Sequence, residues 1–367
     1  MGGDATTVTK AGSRTHGIDR FFSGVIGQVV KGLEFFVLSL ISVRKRKSSP
    51  LMVGQTVRST EEKAILKQRR EERWAKSREP KKKCRKMRGR PKGVRNKAKD
   101  KVEFSAEILR INQLLKRMLQ LVRLFVRVKY LVLEGHFGHM QAVLMGRENG
   151  LELVSKLSCD ASLYERYEGE YSGTGRKKKY GRKLNYDELP DKYLQKSESE
   201  GDVTTKYYQG IFLNRKFGCQ LNVVIIEKRD VQKGKAGHII LFSSDVKLGW
   251  EKLLEYYRLR FQIEFNFRDA KQRFGLEDFM NVTPRGVENA ANLSFMMVNL
   301  SATLLAQRAA GCVGINDLKS QFRGEYYALS TIKIVQPNAD RILIEKVKEV
   351  ISRIGSIHRY NFSNSSA

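Results

Sequence analysis

The run VKYLVLEG (128–135) is apolar at almost every position until Glu134 and Gly135 stop it. A strand buried on both faces reads this way. GHIILFSSD (237–245) has the same character, and LELVSKLS (151–158) reads as another strand. Residues 29–43, rich in Val, Phe and Ile, predict one or two strands, with LMVGQTV (51–57) as another. A 3.6-residue period takes over at 104–125, where Leu109, Ile111, Leu114, Leu115, Met118, Leu119, Leu121 and Val122 recur on helical spacing, with Ser105 placed to start the helix. Residues 140–148, 289–307 and 341–354 also read as helices. Residues 161–237 are Tyr-rich, charged and turn-rich, with short β-like runs at 205–213 and 221–227. They read as an insertion more than as a layer of the core. Residues 1–20 are polar and rich in Gly and Thr. Strands alternating with helices predict an α/β sheet.

The stretch YYRLRFQIEFNFRDAK (256–271) holds neither Pro nor Gly and reads as one helix. At about 100° per residue, Arg260, Glu264, Arg268 and Lys271 form one narrow charged stripe. Leu259, Ile263, Phe267, Ala270 and Phe274 border it on one side, Phe261 and Phe265 on the other. Gln262, Asn266, Asp269 and Arg273 make the opposite, water-facing arc. A carboxylate between greasy borders is partly desolvated and needs a partner or a metal. An internal ladder of i,i+4 ion pairs through Arg260, Glu264 and Arg268 would also explain the stripe.

Charge changes the picture further. The 367 residues carry a net charge of +30. Such a surplus favours a polyanion, nucleic acid first and an anionic membrane surface second. Residues 58–100 hold 19 Lys and Arg against 6 Asp and Glu. Within them RGRPK (88–92) could send Arg88 and Arg90, with Lys92, into a narrow minor groove, or be a solvated linker. GRKKKYGRK (175–183) is a second basic patch suited to a phosphate backbone. The four cysteines have no metal-ligand spacing and read as reduced thiols. The first twenty residues lack the apolar core of a signal peptide, and residues 24–43 suit strands better than a membrane span.

Three carboxylates stand out by position. Glu134 ends a buried strand, Glu264 lies on the charged stripe, and Asp4 precedes the β-prone run ATTVT. Active sites in open α/β sheets gather beyond the carboxyl ends of strands, and acids held close together call for a divalent cation. Asp4 alone could equally be a turn residue. Asp245 reads more simply as a helix N-cap. His136 and His139, in HFGH, lack the further ligand that a metal site needs.

Tyr257, Arg260, Glu264 and Lys271 fit Y-x2-R-x3-E-x6-K, and in this the chain resembles the insertion-sequence-4-type DDE transposases. The blocks at 4–24, 133–138 and 242–279 are similar to that family's three catalytic blocks. The resemblance implies an α/β, RNase H-like mixed sheet flanked by helices, with a β-rich insertion and a basic linker insertion. It implies a catalytic domain over 1–57, 104–160 and 237–310, a basic linker or DNA-contacting insertion at 58–103, a β-rich insertion at 161–236 and a C-terminal helical region at 311–367. Asp4, Glu134 and Glu264 would be the catalytic acids and ligands of two Mg²⁺ or Mn²⁺ ions. Tyr257, Arg260 and Lys271 would hold phosphates of the transposon end. The partner would be double-stranded DNA rather than a membrane, in a bacterial cytoplasm at the nucleoid, with a homodimer on DNA left open.

Two departures qualify the likeness. The family has Asp where this chain has Glu134, and one methylene moves a carboxylate by about 1.5 Å. Only three residues precede Asp4, so the central strand is expected to be short or missing and the copy truncated, with impaired activity. Two alternatives stand beside the enzyme: a non-catalytic basic DNA-binding remnant, and an unrelated basic protein whose Asp4 and Glu134 lie far from Glu264.

Overall fold

The computed structural model describes residues 1–78, 103–171, 173, 175, 177–230, 232, 234–307, 314–336, 338, 340–351 and 354. Two compact units divide the chain, residues 1–267 with 279–292 and residues 268–278 with 293–367. In the first, the chain runs through β1 (Gly2–Thr9), β2 (Asp19–Ser23), β3 (Gln28–Ser42), β4 (Lys47–Gln55), α1 (Thr60–Arg78), α2 (Ala106–Val122), β5 (Tyr130–Leu133), α3 (Met140–Glu148) and β6 (Glu152–Leu157). It continues through β7 (Leu163–Arg166), β8 (Tyr180–Lys183), β9 (Leu194–Glu200), β10 (Val203–Asn214), β11 (Gln220–Asp230), β12 (Lys235–Ser243) and α4 (Trp250–Leu259). Helices α5 (Gln262–Arg273) and α6 (Pro284–Gln307) each pass from one unit into the other, and α7 (Ile315–Val335) and α8 (Arg341–Ile351) belong to the second.

Among the described residues the strands form one sheet in the order β2-β3-β1-β5-β6-β12-β11-β10-β7-β8, with β4 on β3 and β9 on β10. β5 is parallel to both β1 and β6, and the other pairings are antiparallel. This is a mixed α/β fold with a large, mostly antiparallel sheet flanked by helices, consistent with the RNase H-like form. Period-2 alternation divides its core. Leu131, Leu133, Leu153, Val223, Ile225, Ile240 and Phe242 join α2 and α3 on one face. Val132, Val154, Val224, Ile226 and Leu241 join Leu253 and Leu254 of α4 on the other. Both faces are covered, so these strands read as unbroken apolar runs. Helix α2 starts as expected, with Ser105 Oγ accepting from Ile108 N–H.

Four expectations need correction. The central strand is present: β1 spans eight residues and pairs with β3 along its whole length. Its glycines disguise it, and side chains pack closely over them. A Cβ on Gly3 would lie 2.8 Å from Phe36 Cζ, and one on Gly2 2.9 Å from Ile263 Cδ1.

The stretch 256–271 is two helices, not one. Arg260, Phe261, Ile263 and Glu264 N–H groups donate three residues back instead of four. Such tight turns advance about 3.0 residues per turn and shift the phase of a helical wheel. Asn266 therefore turns inward, 6% exposed, with its Nδ2 donating to Ser48 Oγ, while Phe261 and Phe265 face solvent.

Asp245 does not cap a helix. α4 begins at Trp250 after Gly249, and the Asp245 carboxylate accepts from Lys129 Nζ, Tyr130 Oη and Lys247 N–H. Finally, β10 and β11 are long strands of the main sheet. Tyr208, Phe212, Leu221, Val223 and Ile225 belong to the principal core, so this region is a layer of that core as well as a long excursion of the chain.

Candidate active site

The backbone ladder brings Asp4 and Glu134 side by side. Gly2 pairs with Val132 and Gly3 with Leu133 in the parallel β1–β5 ladder. One residue further on, the two chains reach Asp4 and Glu134. Asp4 shares the face of Gly2, which looks onto Ile263 of α5. Glu134 opens the loop beyond β5. Its carbonyl accepts from Ser155 Oγ at 2.8 Å, and Gly138 presses that loop against β6, where a Cβ would sit 2.3 Å from the Lys156 carbonyl oxygen.

The third acid comes from the junction of α4 and α5. Arg260 Nη1 donates to Asp4 Oδ2, and Nη2 lies 3.7 Å from Glu264 Oε1. The Arg260 guanidinium is 5.8 Å from the centre of the Tyr257 ring. Asp4, Glu134, Tyr257, Arg260 and Glu264 therefore gather in the first unit, from four elements or their ends. Glu134 and Glu264 are exposed, whereas Asp4 is buried.

The electrostatics bear out the crowding. Burial raises the Asp4 carboxyl to about 6. Arg260 and the bond from Ala5 N–H oppose the rise, while Glu134 and Glu264 add to it. Burial and the Glu134 charge push Glu264 up against the pull of Arg260, and burial pushes the Tyr257 phenol up. The ladder of i,i+4 pairs accounts for only part of the stripe, since the shorter contact of Arg260 is to Asp4.

A family model described as DDE superfamily endonuclease matches residues 1–209. The chain belongs to this family. No curated protein matches it. The matched span of this DDE endonuclease contains Asp4 and Glu134 and ends before Tyr257, Arg260 and Glu264. The family acts on DNA and generally uses divalent metals. Hard carboxylate oxygens brought close together suit such ions in kind. Yet among the described residues no group of three or more His, Cys, Asp or Glu is arranged to hold a metal. The cation that serves Asp4 in this structure is Arg260.

Other expected residues lie elsewhere. Lys271 belongs to the second unit, with Nζ 3.4 Å from Glu277 Oε1. Arg88, Arg90 and Lys92 lie outside the described residues. The patch at 175–183 contains β8, where Tyr180 packs edge-on against Tyr164, and Lys178 lies over the Tyr167 ring. His136 pairs with Glu107 at 3.2 Å. Among the described residues no helix is long and apolar enough to cross a membrane. Sequence reasoning missed Ser155 and Ser48, which steady Glu134 and α5. Neither stands in a local motif, since both act through contacts with residues remote in the chain.

Proposed function

We propose that this DDE endonuclease is a DNA transposase of the insertion-sequence-4 type, which cuts DNA at transposon ends and joins the freed 3′ ends to target DNA. The observation that carries the reading is the gathering of Asp4, Glu134 and Glu264 from three remote parts of the chain. On this reading Asp4, Glu134 and Glu264 hold two Mg²⁺ or Mn²⁺ ions. When bound, such ions offset the charge that develops on the attacking and leaving oxygens of a phosphodiester. The residues Tyr257, Arg260, Glu264 and Lys271 act as the family's Y-R-E-K set. Arg260 and Lys271 grip phosphates, Arg by its fork and Lys as a point charge, and Tyr257 backs the Arg260 guanidinium. Residues 58–103, with Arg88, Arg90 and Lys92, and the β-rich part within 161–236 contact duplex DNA. The division into catalytic segments, insertions and a C-terminal helical region belongs to the same proposal, as do assembly as a homodimer on DNA and residence at the bacterial nucleoid.

A second reading has one observation in its favour. Arg260 already neutralises Asp4, as it would in a basic DNA-binding protein that has no catalysis. Nicking of supercoiled plasmid with Mn²⁺ separates the two. The wild-type chain is expected to nick, and Asp4→Asn and Glu264→Gln to lose about a thousandfold in rate, about 4 kcal/mol of barrier, while retaining DNA binding. A wild-type chain that binds DNA with a steep salt slope but leaves the plasmid intact supports the second reading.

A further inference from the structure

The inference concerns Arg260 and rests on the site reading above. Its side chain is 12% exposed and that of Asp4 is 10% exposed. The guanidinium touches Asp4 on β1 and approaches Glu264 on α5, two acids far apart in sequence. It is not fully satisfied by them, because its Nε is buried with no hydrogen-bond partner. A structural arginine frequently closes its fork on one carboxylate in bidentate fashion. This one is stretched between two acids with a donor to spare, which is the behaviour of a counter-ion.

The acids that a divalent cation would need are thus the acids that Arg260 serves. A cation on Asp4 would stand against a guanidinium on the same carboxylate, and like charges at such range repel strongly where water is scarce. We infer that Arg260 is the resident counter-ion of the site and competes with divalent cations for Asp4 and Glu264, so that loading requires the guanidinium to leave Asp4. An anion that attracts the guanidinium would assist its departure, and a DNA phosphate has the right charge and fork geometry. DNA and metal then bind with positive coupling, and the coupling is reciprocal. Free ions bind the site weakly until DNA arrives.

The test is Mn²⁺ binding by the full chain, read from the EPR signal of free Mn²⁺ and independent of activity. Without DNA, Arg260→Gln is expected to bind Mn²⁺ at least tenfold more tightly than wild type, and Arg260→Lys, which keeps the charge, to stay within threefold. A short duplex is expected to tighten wild-type Mn²⁺ binding at least tenfold and to have less effect on Arg260→Gln. Equal or weaker binding by Arg260→Gln, with Asp4→Asn still abolishing it, overturns the counter-ion role alone. Should Arg260→Gln fail to fold, absence of any duplex effect on the wild type overturns it. If Asp4→Asn binds Mn²⁺ as well as wild type does, the carboxylate site itself fails.

Discussion

Two regions of the first unit bury polar groups in opposite ways. Where β10, β11 and β12 meet α4, Asn222 is 1% exposed and fully engaged. Its Nδ2 donates to the carbonyls of Leu248 and Asp245 at 2.6 and 3.0 Å, and its Oδ1 accepts from Gln209 Nε2 at 2.9 Å. Gln209 in turn accepts from Trp250 N–H and donates to Leu248 O. Every member of that neutral network has a partner. Around β1 and β5, charges are buried among the polar groups, Asp4 resists ionisation, and Arg260 Nε has no acceptor. A closed network specifies and stiffens a fold. An unsettled one stores free energy that a ligand can release, which is why perturbed acids gather at functional sites.

The contrast can be broken most sharply at Asn222. Asn222→Leu keeps the volume but removes three hydrogen bonds, to Gln209 and to the carbonyls of Leu248 and Asp245, and is expected to lower stability by about 3 kcal/mol, since each such bond contributes about 1 kcal/mol. Urea denaturation reads this. The Mn²⁺-dependent nicking rate should change less than threefold, and a large loss of rate at full folding would mean that the two regions are not separate.

The next effect is a pH dependence centred on Asp4. Its carboxyl rises from 3.8 to about 6 on folding, so between these values the folded chain binds more protons than the unfolded one. Stability from this group is therefore greatest below pH 4 and falls as pH rises to about 6. The loss should amount to about 3 kcal/mol, measured in EDTA as the difference between wild type and Asp4→Asn. A flat difference curve would place Asp4 with the settled groups.

The smallest effect sharpens the view of the exposed acid. Glu134→Asp shortens the side chain by about 1.5 Å in a loop that Ser155 and Gly138 hold in place. Stability should hardly change, while the nicking rate should rise about tenfold, or about 1.4 kcal/mol of barrier. A fall in rate would show that the longer Glu134 is fitted to its neighbours.

Legibility in the sequence follows the same division. The unbroken run ending at Glu134, the run ending near Ser243 and the helix capped by Ser105 are all readable, because burial on two faces and helical period leave strong marks. β1 is hard to read, since GGDATTVT lacks bulk for the reason that Phe36, Leu133 and Ile263 fill the space above its glycines. The three acids can be nominated from sequence, but the contact of Arg260 with Asp4 cannot. A helical wheel assumes one phase, and the tightened turn at Arg260 changes it. Buried Asn266 and exposed Phe261 and Phe265 are the visible cost of that turn.

The rung between Gly3 and Leu133 has one more consequence. Because a parallel backbone ladder sets the spacing of Asp4 and Glu134, the polypeptide that joins β4 to α2 does not. Closing a longer loop costs only about 0.6 kcal/mol per doubling of length. Segments of very different length and charge can therefore be spliced between those two strands over evolution, each bringing new contacts to a partner, while the two acids keep their separation.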